Sequence, residues 1–228
     1  EQVVEWRPQW RYTSTAGVEP EPQVQAIIDM WNSKLDEELA IPVGEARVVL
    51  DTRRSTVRSE ESNFGDLVAE AMRNATGADV GFSNGGGIRG DRTYDPGTVL
   101  TRKDVLTELP FGNVTVLMEL SGADLRAAVE NGVSQVEDGA GRFPQIAGMA
   151  FTYDASKPAG ERVVELTVGG EAVDSGKTYK VATNDYMASG GDGFESLTRG
   201  KILIDASGAT LMASTVMNYI TALGGEIT

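Results

Sequence analysis

The sequence contains neither cysteine nor histidine among its 228 residues. Without cysteine there can be no disulfide and no thiol nucleophile, and without histidine there can be no Ser-His catalytic triad. The two absences also exclude nearly every zinc or non-haem iron site, whereas Mg²⁺ or Ca²⁺ held by oxygen ligands stays possible. Any catalysis within this chain would have to proceed without an imidazole or a thiol.

Long apolar runs and an excess of basic residues are also lacking. No segment approaches the roughly 18 apolar residues of a membrane-spanning helix, and the N-terminal segment has no apolar signal-peptide core. Lys and Arg number 20 against 34 Asp and Glu, which gives a formal net charge of -14. Because binding to nucleic acid depends on Lys and Arg at the phosphates, this balance argues against a nucleic-acid partner. We interpret the excess acid as a solvated surface that favours solubility or a salty habitat.

Residues 20–40 repeat apolar side chains at helical spacing and are followed by Pro42, a pattern that predicts one amphipathic helix. Before this helix, Trp6, Trp10 and Tyr12 lie in a segment too short to form a domain. Such a segment suggests a strand or strap that belongs to a neighbouring unit. These features predict a domain boundary near residue 42.

The predicted organisation is a remnant strand and linker helix in residues 1–42, followed by the main domain in residues 43–228. In the main domain, strands and helices mix without strict β-α alternation, which favours an α+β fold with a mixed sheet and flanking helices. Predicted helices cover residues 63–75 and 209–223 and two segments opened by Thr101 and Ser121; predicted strands cover residues 46–51, 79–83, 114–120, 147–153, 162–168 and 178–184. A turn at residues 174–176 is expected to join the last two strands as a hairpin.

Two glycine-rich segments imitate nucleotide-binding motifs. Residues 85–90 satisfy G-x-G-x-x-G after a strand, but residues 91–97, which include Pro96, cannot open the helix that a dinucleotide fold requires. Residues 170–178 end in Gly-Lys-Thr like a phosphate-binding loop. Their first glycine is one residue too far away and a strand follows, so we interpret them as the hairpin turn. Neither segment predicts its usual cofactor.

Three arginines form the first candidate site. Arg54 and Arg58 stand in Arg-Ser-Thr-Val-Arg, and Arg89 follows the glycines of residues 85–87. The planar guanidinium grips phosphate through two hydrogen bonds, and glycines let backbone N–H donors come close. The segment is therefore a candidate anion site. From spacing alone, Arg54 and Arg58 could equally pair with a neighbouring acid such as Glu60.

Two loops with aromatic residues form the second candidate site. Phe111 stands in Leu-Pro-Phe-Gly-Asn, and Tyr186 precedes a Gly-Gly-Asp-Gly segment that contains Asp192. A ring in a loop fixed by proline and glycine can stack on a planar base, and a nearby carboxylate can accept hydrogen bonds from ribose hydroxyls. Core packing explains a single Phe equally well, and Asp192 could be a turn residue that satisfies its own backbone.

Five short motifs occur in order along residues 43–223. They are Asn-Phe-Gly-Asp-Leu (63–67), Asn-Gly-Gly-Gly-Ile-Arg (84–89), Leu-Pro-Phe-Gly-Asn (109–113), Gly-Arg-Phe-Pro-Gln (141–145) and Gly-Gly-Asp-Gly-Phe (190–194). Together they resemble the C-terminal domain of the 5′-nucleotidase / UDP-sugar hydrolase family. In that family, the domain has its own mixed α/β fold and binds the nucleoside, while a preceding metallophosphatase domain holds two metal ions.

The resemblance implies a role for each candidate residue. Arg54, Arg58 and Arg89 would hold the substrate's phosphate, with Asn84 beside them. The glycines expected to line the site are Gly85, Gly86 and Gly87 in one loop and Gly190 and Gly191 in another.

The nucleoside end follows from the same resemblance. Phe111 and Tyr186 would stack on the two faces of the base, Asn113 would hydrogen-bond its edge, and Asp192 would bind the ribose hydroxyls. The family more often has phenylalanine where Tyr186 stands, so this chain keeps the ring and adds a hydroxyl.

The resemblance also implies what this chain does not hold. It would contain no catalytic residue and no metal site, and two divalent ions such as Zn, Mn or Mg would belong to the preceding metallophosphatase domain of the same chain. The expected ligand is a nucleoside or nucleotide, and the expected location is periplasmic, extracellular or at a bacterial cell surface, which the lack of cysteine also suits.

One alternative function stays open, and a second is disfavoured. The chain could be a free-standing nucleoside-binding module that has no catalytic partner. A Ca²⁺- or Mg²⁺-dependent hydrolase within the chain is disfavoured, because its acidic residues lack a dense ligand spacing such as that of an EF-hand. The sequence does not select the base or the phosphate length.

Overall fold

The structure is a computed structural model that describes residues 14–228. Backbone contacts divide the chain into two units, Glu1–Glu38 and Leu39–Thr228. The predicted strap with Trp6, Trp10 and Tyr12 lies outside the described residues. The helix predicted over residues 20–40 is present as α1 (Pro22–Leu39).

The second unit contains the remaining described elements. Its helices are α2 (Arg54–Val57), α3 (Asn63–Thr76), α4 (Arg102–Glu108), α5 (Gly122–Gly132), α6 (Asp185–Ala188) and α7 (Met212–Ala222). Its strands are β1 (Pro42–Ala46), β2 (Leu50–Asp51), β3 (Val80–Asn84), β4 (Thr93–Tyr94), β5 (Val99–Thr101), β6 (Val114–Ser121), β7 (Pro144–Ala147), β8 (Met149–Tyr153), β9 (Val163–Val168), β10 (Glu171–Ala172), β11 (Thr178–Asn184), β12 (Lys201–Ile204), β13 (Thr210–Leu211) and β14 (Glu226–Ile227). No helix in residues 14–228 combines the length and the apolar character that a membrane crossing requires.

The central sheet has the order β12-β6-β11-β3-β7, and β13 also pairs with β6. Strands β11 and β3 run parallel, and the other pairs are antiparallel. Smaller sheets join β14-β1-β5, β10-β9-β8 and β2-β4. This mixed sheet with flanking helices confirms the predicted α+β class.

Apolar side chains cover both faces of the central sheet. Along β6, Leu117 belongs to the core that includes α3 and α7, while Val116 and Met118 belong to the core that includes α5, β8 and β9. Alternate residues of a strand point to opposite faces, so one strand serves both cores. The sheet is thereby fixed on both sides, which makes its edges a rigid base for loops.

The helix ends follow the predicted local signals. Thr101 and Asp104 form a reciprocal capping box at the start of α4, and the Ser121 side chain accepts a hydrogen bond from Asp124 N at the start of α5. Gly77 ends α3 in the left-handed conformation with φ 63°. Helix α7 begins later than predicted, at Met212, because residues 210–211 pair with β6 as β13.

In two places, the structure has two separate strands where the sequence pattern predicts one. The strand predicted over residues 46–51 is wrong as a single element, because β1 pairs with β5 and β14 whereas β2 pairs with β4. The strand predicted over residues 147–153 breaks at Gly148, whose φ of 73° turns the chain from β7 into β8. Each half then enters a different sheet, which the apolar pattern does not reveal.

The predicted hairpin between β9 and β11 is also wrong. Strand β9 instead pairs with the two-residue strand β10, and the two are joined through Gly169 and Gly170. The turn at residues 174–177, closed by Lys177 N donating to Asp174 O at 3.2 Å, leads from β10 into β11 of the central sheet. The sequence pattern misplaces the hairpin because a two-residue strand carries almost no periodicity.

The topology brings four loops to one edge of the central sheet. Strands β3 and β11 are parallel, so their last residues, Asn84 and Asn184, lie at the same edge. Antiparallel β6 places Thr115 opposite Asn184, and antiparallel β7 places Pro144 opposite Asn84. The loops after β3 and β11 and the loops before β6 and β7 therefore converge.

Candidate functional site

A cavity of about 410 Å³ lies where the four loops meet. It is lined by Arg58, Asn84, Gly86, Gly87, Arg89, Phe111, Asn113, Gly141, Tyr186 and Asp192. A smaller cavity of about 160 Å³ is lined by Thr52, Arg54, Arg58, Ile88, Arg89 and Asp91. Arg58 and Arg89 line both cavities, so the two cavities are neighbours, and every predicted site side chain borders at least one of them.

At the smaller cavity, three positively charged arginines lie close together, and few acceptors or negative charges offset them. Arg58 donates one long hydrogen bond from Nη1 to Gly139 O at 3.4 Å, and its Nε is buried without a partner among the described residues. Burial, followed by the positive charges of Arg54 and Arg89, lowers the pKa of Arg58, while the carboxylate of Asp192 acts in the opposite direction. An anion placed here would offset the repulsion and satisfy the buried donor.

Pairing of Arg54 or Arg58 with a neighbouring acid is not observed. The ion pairs within residues 14–228 involve other basic residues, and the nearest acidic contact of Arg54 is through its backbone N, which donates to Asp91 Oδ1 at 2.8 Å. The competing prediction of a pair with Glu60 therefore does not describe this structure.

Arg89 lies beside the Phe111 ring, and its loop is fixed by Glu108 through both the backbone carbonyl and the carboxylate. Its Cζ lies 5.4 Å from the centroid of the Phe111 ring, and its backbone N donates to Glu108 O at 2.9 Å. The fully buried Glu108 side chain accepts from Gly90 N at 2.9 Å and from Tyr94 Oη at 2.7 Å. Burial raises the pKa of Glu108, and these hydrogen bonds oppose that rise. Glu108 thus fixes the loop that carries Arg89.

Sequence reasoning missed Glu108, although a signal exists. It lies three residues after Val105, which is buried in α4. That spacing puts Glu108 on the buried face of the helix, where a carboxylate needs partners.

The glycine loop serves close packing more than anion binding. The N–H of Gly85 donates to Phe143 O at 2.8 Å, and the N–H of Gly86 donates to Gly141 O at 2.7 Å. A Cβ at Gly85 would overlap the carbonyl oxygen of Val57. The expectation that these backbone N–H groups reach a phosphate is therefore wrong for Gly85 and Gly86, because the segment before β7 already uses both donors.

Buried amides connect the two parallel strands to Asp192. Asn184 Nδ2 donates to Asn84 Oδ1 at 3.1 Å, and Asn84 Nδ2 donates to Asp192 Oδ2 at 2.9 Å. Asn184 Oδ1 accepts from Met187 N at 2.8 Å and thereby caps α6. The resemblance places Asn84 beside the phosphate, but its amide is bonded to Asn184 and Asp192. Asn184 is not among the predicted site residues, although an Asn between a strand and a helix is an N-cap signal.

The aromatic residues are available to a ligand rather than buried in the core. Phe111 is 59% exposed and Tyr186 is 47% exposed, and both line the larger cavity. The interpretation of Phe111 as a core residue is therefore wrong. Tyr186 packs its ring over Gly191, where a Cβ would lie 2.5 Å from Cζ of that ring. Gly191 therefore leaves the space that the Tyr186 ring occupies, and neither Gly190 nor Gly191 lines the larger cavity.

Asn113 is oriented by a residue that sequence reasoning missed. Asp185 Oδ1, in the first turn of α6, accepts from Asn113 Nδ2 at 2.9 Å and from Val114 N at 3.1 Å. The contact joins the loop before β6 to the loop after β11. Among residues 14–228, no further partner occupies Asn113 Oδ1 or its second amide hydrogen, so both can meet a ligand's edge.

Gln145 holds the segment between α2 and α3, and this segment carries Arg58. The buried side chain donates from Nε2 to Val57 O at 3.1 Å and to Glu60 O at 2.9 Å, and its Oε1 accepts from Ser62 N at 3.1 Å. A Cβ at Gly65 would overlap the Gln145 side chain. The motifs at residues 63–67 and 141–145 therefore meet here, since Gly65 leaves the space that Gln145 fills.

The buried carboxyl group of Asp66, in the first turn of α3, is expected to make the stability of the protein depend on pH. Its Oδ1 is buried without a partner among the described residues, and burial together with the negative charge of Glu61 raises its pKa to about 7. The folded state then binds this proton more tightly than the unfolded chain, whose carboxyl titrates near its ordinary value of 3.8. Stability is therefore expected to fall as pH rises from about 4 to 7 and to level off above that range.

Chemical denaturation at pH 5 and pH 8 tests this expectation. The unfolding midpoint of the wild type should fall by more than that of Asp66→Asn, which has no proton to lose. Glu61→Gln should give an intermediate fall, because it removes the neighbouring charge and leaves burial in place. Equal falls for the wild type and Asp66→Asn would contradict the assignment.

Residues 14–228 contain no group of three or more His, Cys, Asp or Glu side chains that could hold a metal ion. The carboxylates of the site are instead bonded to Asn, Tyr and backbone donors. The described residues therefore offer no set of ligands for a pair of divalent ions, which the resemblance assigns to a preceding domain and not to this one.

Comparison with known proteins places these motifs in a family. A family model described as "5'-nucleotidase, C-terminal domain" matches residues 42–199. The chain is 36% identical over 189 residues to the trifunctional nucleotide phosphoesterase protein YfkN of Bacillus subtilis (strain 168), covering 79% of this chain and 13% of that protein. It is 30% identical over 226 residues to the 5'-nucleotidase of Bos taurus, covering 91% of this chain and 39% of that protein.

A solved structure agrees with the fold. The crystal structure of a 5'-nucleotidase precursor from Thermus thermophilus superposes with a TM-score of 0.80 at 36% identity, covering 92% of this chain and 42% of that one. This chain therefore spans less than half the length of each of these relatives.

Proposed function

Because this chain belongs to the 5′-nucleotidase C-terminal domain family, we propose that it binds the nucleoside and phosphate of a nucleotide and presents them to a metal-holding phosphohydrolase domain of its parent protein. One observation carries the proposal: a single pair of cavities has three arginines at one end and two exposed aromatic rings in its wall. This polarity matches a nucleotide, which has an anionic end and a planar ring.

At the phosphate end, Arg54, Arg58 and Arg89 would grip the anion. Arg58 and Arg89 border both cavities, whereas Arg54 borders only the smaller one. Charge-assisted hydrogen bonds from a planar fork to phosphate oxygens give strength as well as orientation. The burial of Arg58 strengthens its contribution, because a guanidinium removed from water attracts an anion more strongly.

At the nucleoside end, Phe111 and Tyr186 would stack on the base and Asn113 would bond its edge. Asp192 would accept hydrogen bonds from the ribose hydroxyls. Its carboxylate is half-enclosed by the protein, since Asn84 and Tyr186 each donate to one oxygen. A carboxylate offers about four acceptor positions, so one position on each oxygen stays open for a hydroxyl.

Hydrolysis itself would belong to the two divalent ions of the other domain, which supply an activated water when bound. The residues of this chain would hold the phosphate in line and stabilise negative charge on it. Binding energy from the remote nucleoside would then be used to orient the reacting group. We also propose that the parent protein is periplasmic, extracellular or at the bacterial cell surface, a location that the absence of cysteine suits.

Calorimetry with the isolated chain tests this function. AMP should bind more tightly than adenosine, and inorganic phosphate alone should bind more weakly than AMP. AMP should not be hydrolysed to adenosine and phosphate when Mn²⁺ or Mg²⁺ is added. The absence of adenosine and AMP binding at millimolar ligand would refute the nucleotide-binding role. Metal-dependent release of phosphate by this chain would instead move the catalytic centre into it.

A further inference from the structure

The hydroxyl of Tyr186 is engaged with Asp192 in two directions. Tyr186 Oη donates to Asp192 Oδ1 at 2.9 Å, and Asp192 N donates to Tyr186 Oη at 3.1 Å. The two residues are six positions apart, so this pair of bonds closes the loop after α6 into a ring. Stacking on a base requires only the ring of Tyr186, whereas this closure requires its hydroxyl.

Asp192 needs such closure because its backbone is unusual. Its φ of 54° lies in the left-handed region, which a residue with a side chain adopts at some cost. Its carbonyl accepts from Asn131 Nδ2 at 3.2 Å, and its Oδ2 accepts from Asn84 Nδ2 at 2.9 Å. The Tyr186 hydroxyl is the partner of both remaining groups, the backbone N–H and Oδ1.

We propose that the Tyr186 hydroxyl is a positioning group that orients the Asp192 carboxylate for a vicinal diol, and that it thereby makes the cavity selective for ribonucleosides. This inference rests on the proposed nucleotide-binding function and adds the origin of its sugar specificity. With Asn84 on one oxygen and Tyr186 on the other, each oxygen keeps one outward acceptor position. Two neighbouring hydroxyls of a ribose match two acceptors on adjacent oxygens.

The interaction with Asp192 keeps the Tyr186 hydroxyl protonated at neutral pH, so that it can donate a hydrogen bond. The hydrogen bond to Asp192, followed by burial and by the carboxylate charge, raises the pKa of Tyr186. The phenol therefore stays protonated through the physiological range and continues to donate to Oδ1. Its oxygen simultaneously accepts the backbone N–H, so a single atom fixes both the main chain and the side chain of Asp192.

Tyr186→Phe separates the hydroxyl from the ring. The variant keeps the stacking surface and removes both bonds to Asp192, so adenosine binding should weaken by about 3- to 10-fold, the effect of losing a hydrogen bond that positions a contact. Binding of 2′,3′-dideoxyadenosine, which has the same base and no diol, should change by less than about 2-fold. Tyr153→Phe is the matched control, since it makes the same chemical change in β8 outside the cavity and should affect neither ligand.

The ratio of the two affinities decides the outcome. A purely structural role for the hydroxyl would weaken both ligands equally, and this result would overturn the proposal, as would an unchanged adenosine affinity. Loss of adenosine discrimination in Tyr186→Phe, with a circular dichroism spectrum like that of the wild type, would support it. If the wild type binds neither nucleoside, the nucleotide-binding function fails and this inference with it; if the wild type binds adenosine and only the ratio is unchanged, this inference alone fails.

Discussion

Replacing Arg58 with alanine is expected to weaken AMP binding by about 1.5–3 kcal/mol, the usual worth of a hydrogen bond to a charged group, and to leave adenosine binding nearly unchanged. Since about 1.4 kcal/mol corresponds to a factor of ten, AMP affinity should fall at least tenfold. The reason is geometric. Arg58 borders both cavities and has a buried Nε without a partner among the described residues, so an anion is the group that its surroundings lack.

The same substitution should not destabilise the protein without ligand. Burial, followed by the positive charges of Arg54 and Arg89, lowers the pKa of Arg58, so its removal relieves desolvation and repulsion. Among the described residues it loses one long hydrogen bond, to Gly139 O. The unliganded melting temperature at low salt should therefore equal or exceed that of the wild type. A structural arginine would behave in the opposite way, losing stability together with binding.

Arg199→Ala is the matched control for net charge. Arg199 is exposed and pairs with Asp124 at 2.8 Å, outside both cavities, so its removal subtracts one positive charge without altering the site. If Arg199→Ala weakens AMP as much as Arg58→Ala, the effect is general electrostatics and not recognition. Equal weakening of AMP and adenosine by Arg58→Ala would also remove its phosphate role. Arg89→Ala is a less clean probe, because Arg89 also stacks on Phe111.

Features that depend on neighbours in sequence could be predicted. The caps at Thr101 and Ser121 and the end of α3 at Gly77 follow from residues within one helical turn. The loops with Arg89 and Phe111 are identifiable because proline and glycine mark irregular backbone. Such signals are local, so tertiary structure adds little to them.

Features that depend on distant pairing could not be predicted. Asn184 is 100 positions from Asn84, and the bond between them exists only because β3 and β11 run parallel. The two-residue strands β2 and β10 have no period to detect, which is why the pattern predicts one strand where two exist and misplaces one hairpin. The engagement of Gly85 N–H by Phe143 O likewise becomes visible only when β7 is placed beside β3.

The motif order carried information that spacing lacked. Spacing left Arg54 and Arg58 equally consistent with ion pairs, and it left Asp192 consistent with a turn that satisfies its own backbone. In the structure, the Asp192 side chain bonds Asn84 across the site and Tyr186 within its own loop. The resemblance implied that these loops belong to one site, because five motifs in order imply one fold and the fold determines which loops meet. It placed Asn84 beside the phosphate and did not anticipate the bond from Asn84 to Asp192.

Replacing Gln145 with alanine is expected to lower the free energy of unfolding by about 3 kcal/mol, because two buried backbone groups and one partly buried carbonyl lose their partner at once. These groups are Val57 O, Glu60 O and Ser62 N. Urea denaturation monitored by circular dichroism measures the loss. Gln135→Ala is the matched control: Gln135 is exposed, so its change should lie within about 0.5 kcal/mol. Similar losses for the two variants would contradict the assigned role of Gln145.

Gly65 provides an independent check of its contact with Gln145, because the effect of Gly65→Ala on stability should change sign when the Gln145 side chain is removed. In the wild type, Gly65→Ala forces a Cβ into the Gln145 side chain, which cannot move without breaking its three hydrogen bonds, so the substitution should destabilise. In the Gln145→Ala background the space is empty, and alanine in a helix is more stable than glycine by up to about 1 kcal/mol, so the same substitution should stabilise. A double-mutant cycle without this reversal would mean that Gln145 does not fill the space above Gly65. Because the segment held by Gln145 carries Arg58, Gln145→Ala should also weaken AMP more than adenosine in the folded protein, whereas a purely local packing defect would weaken both alike.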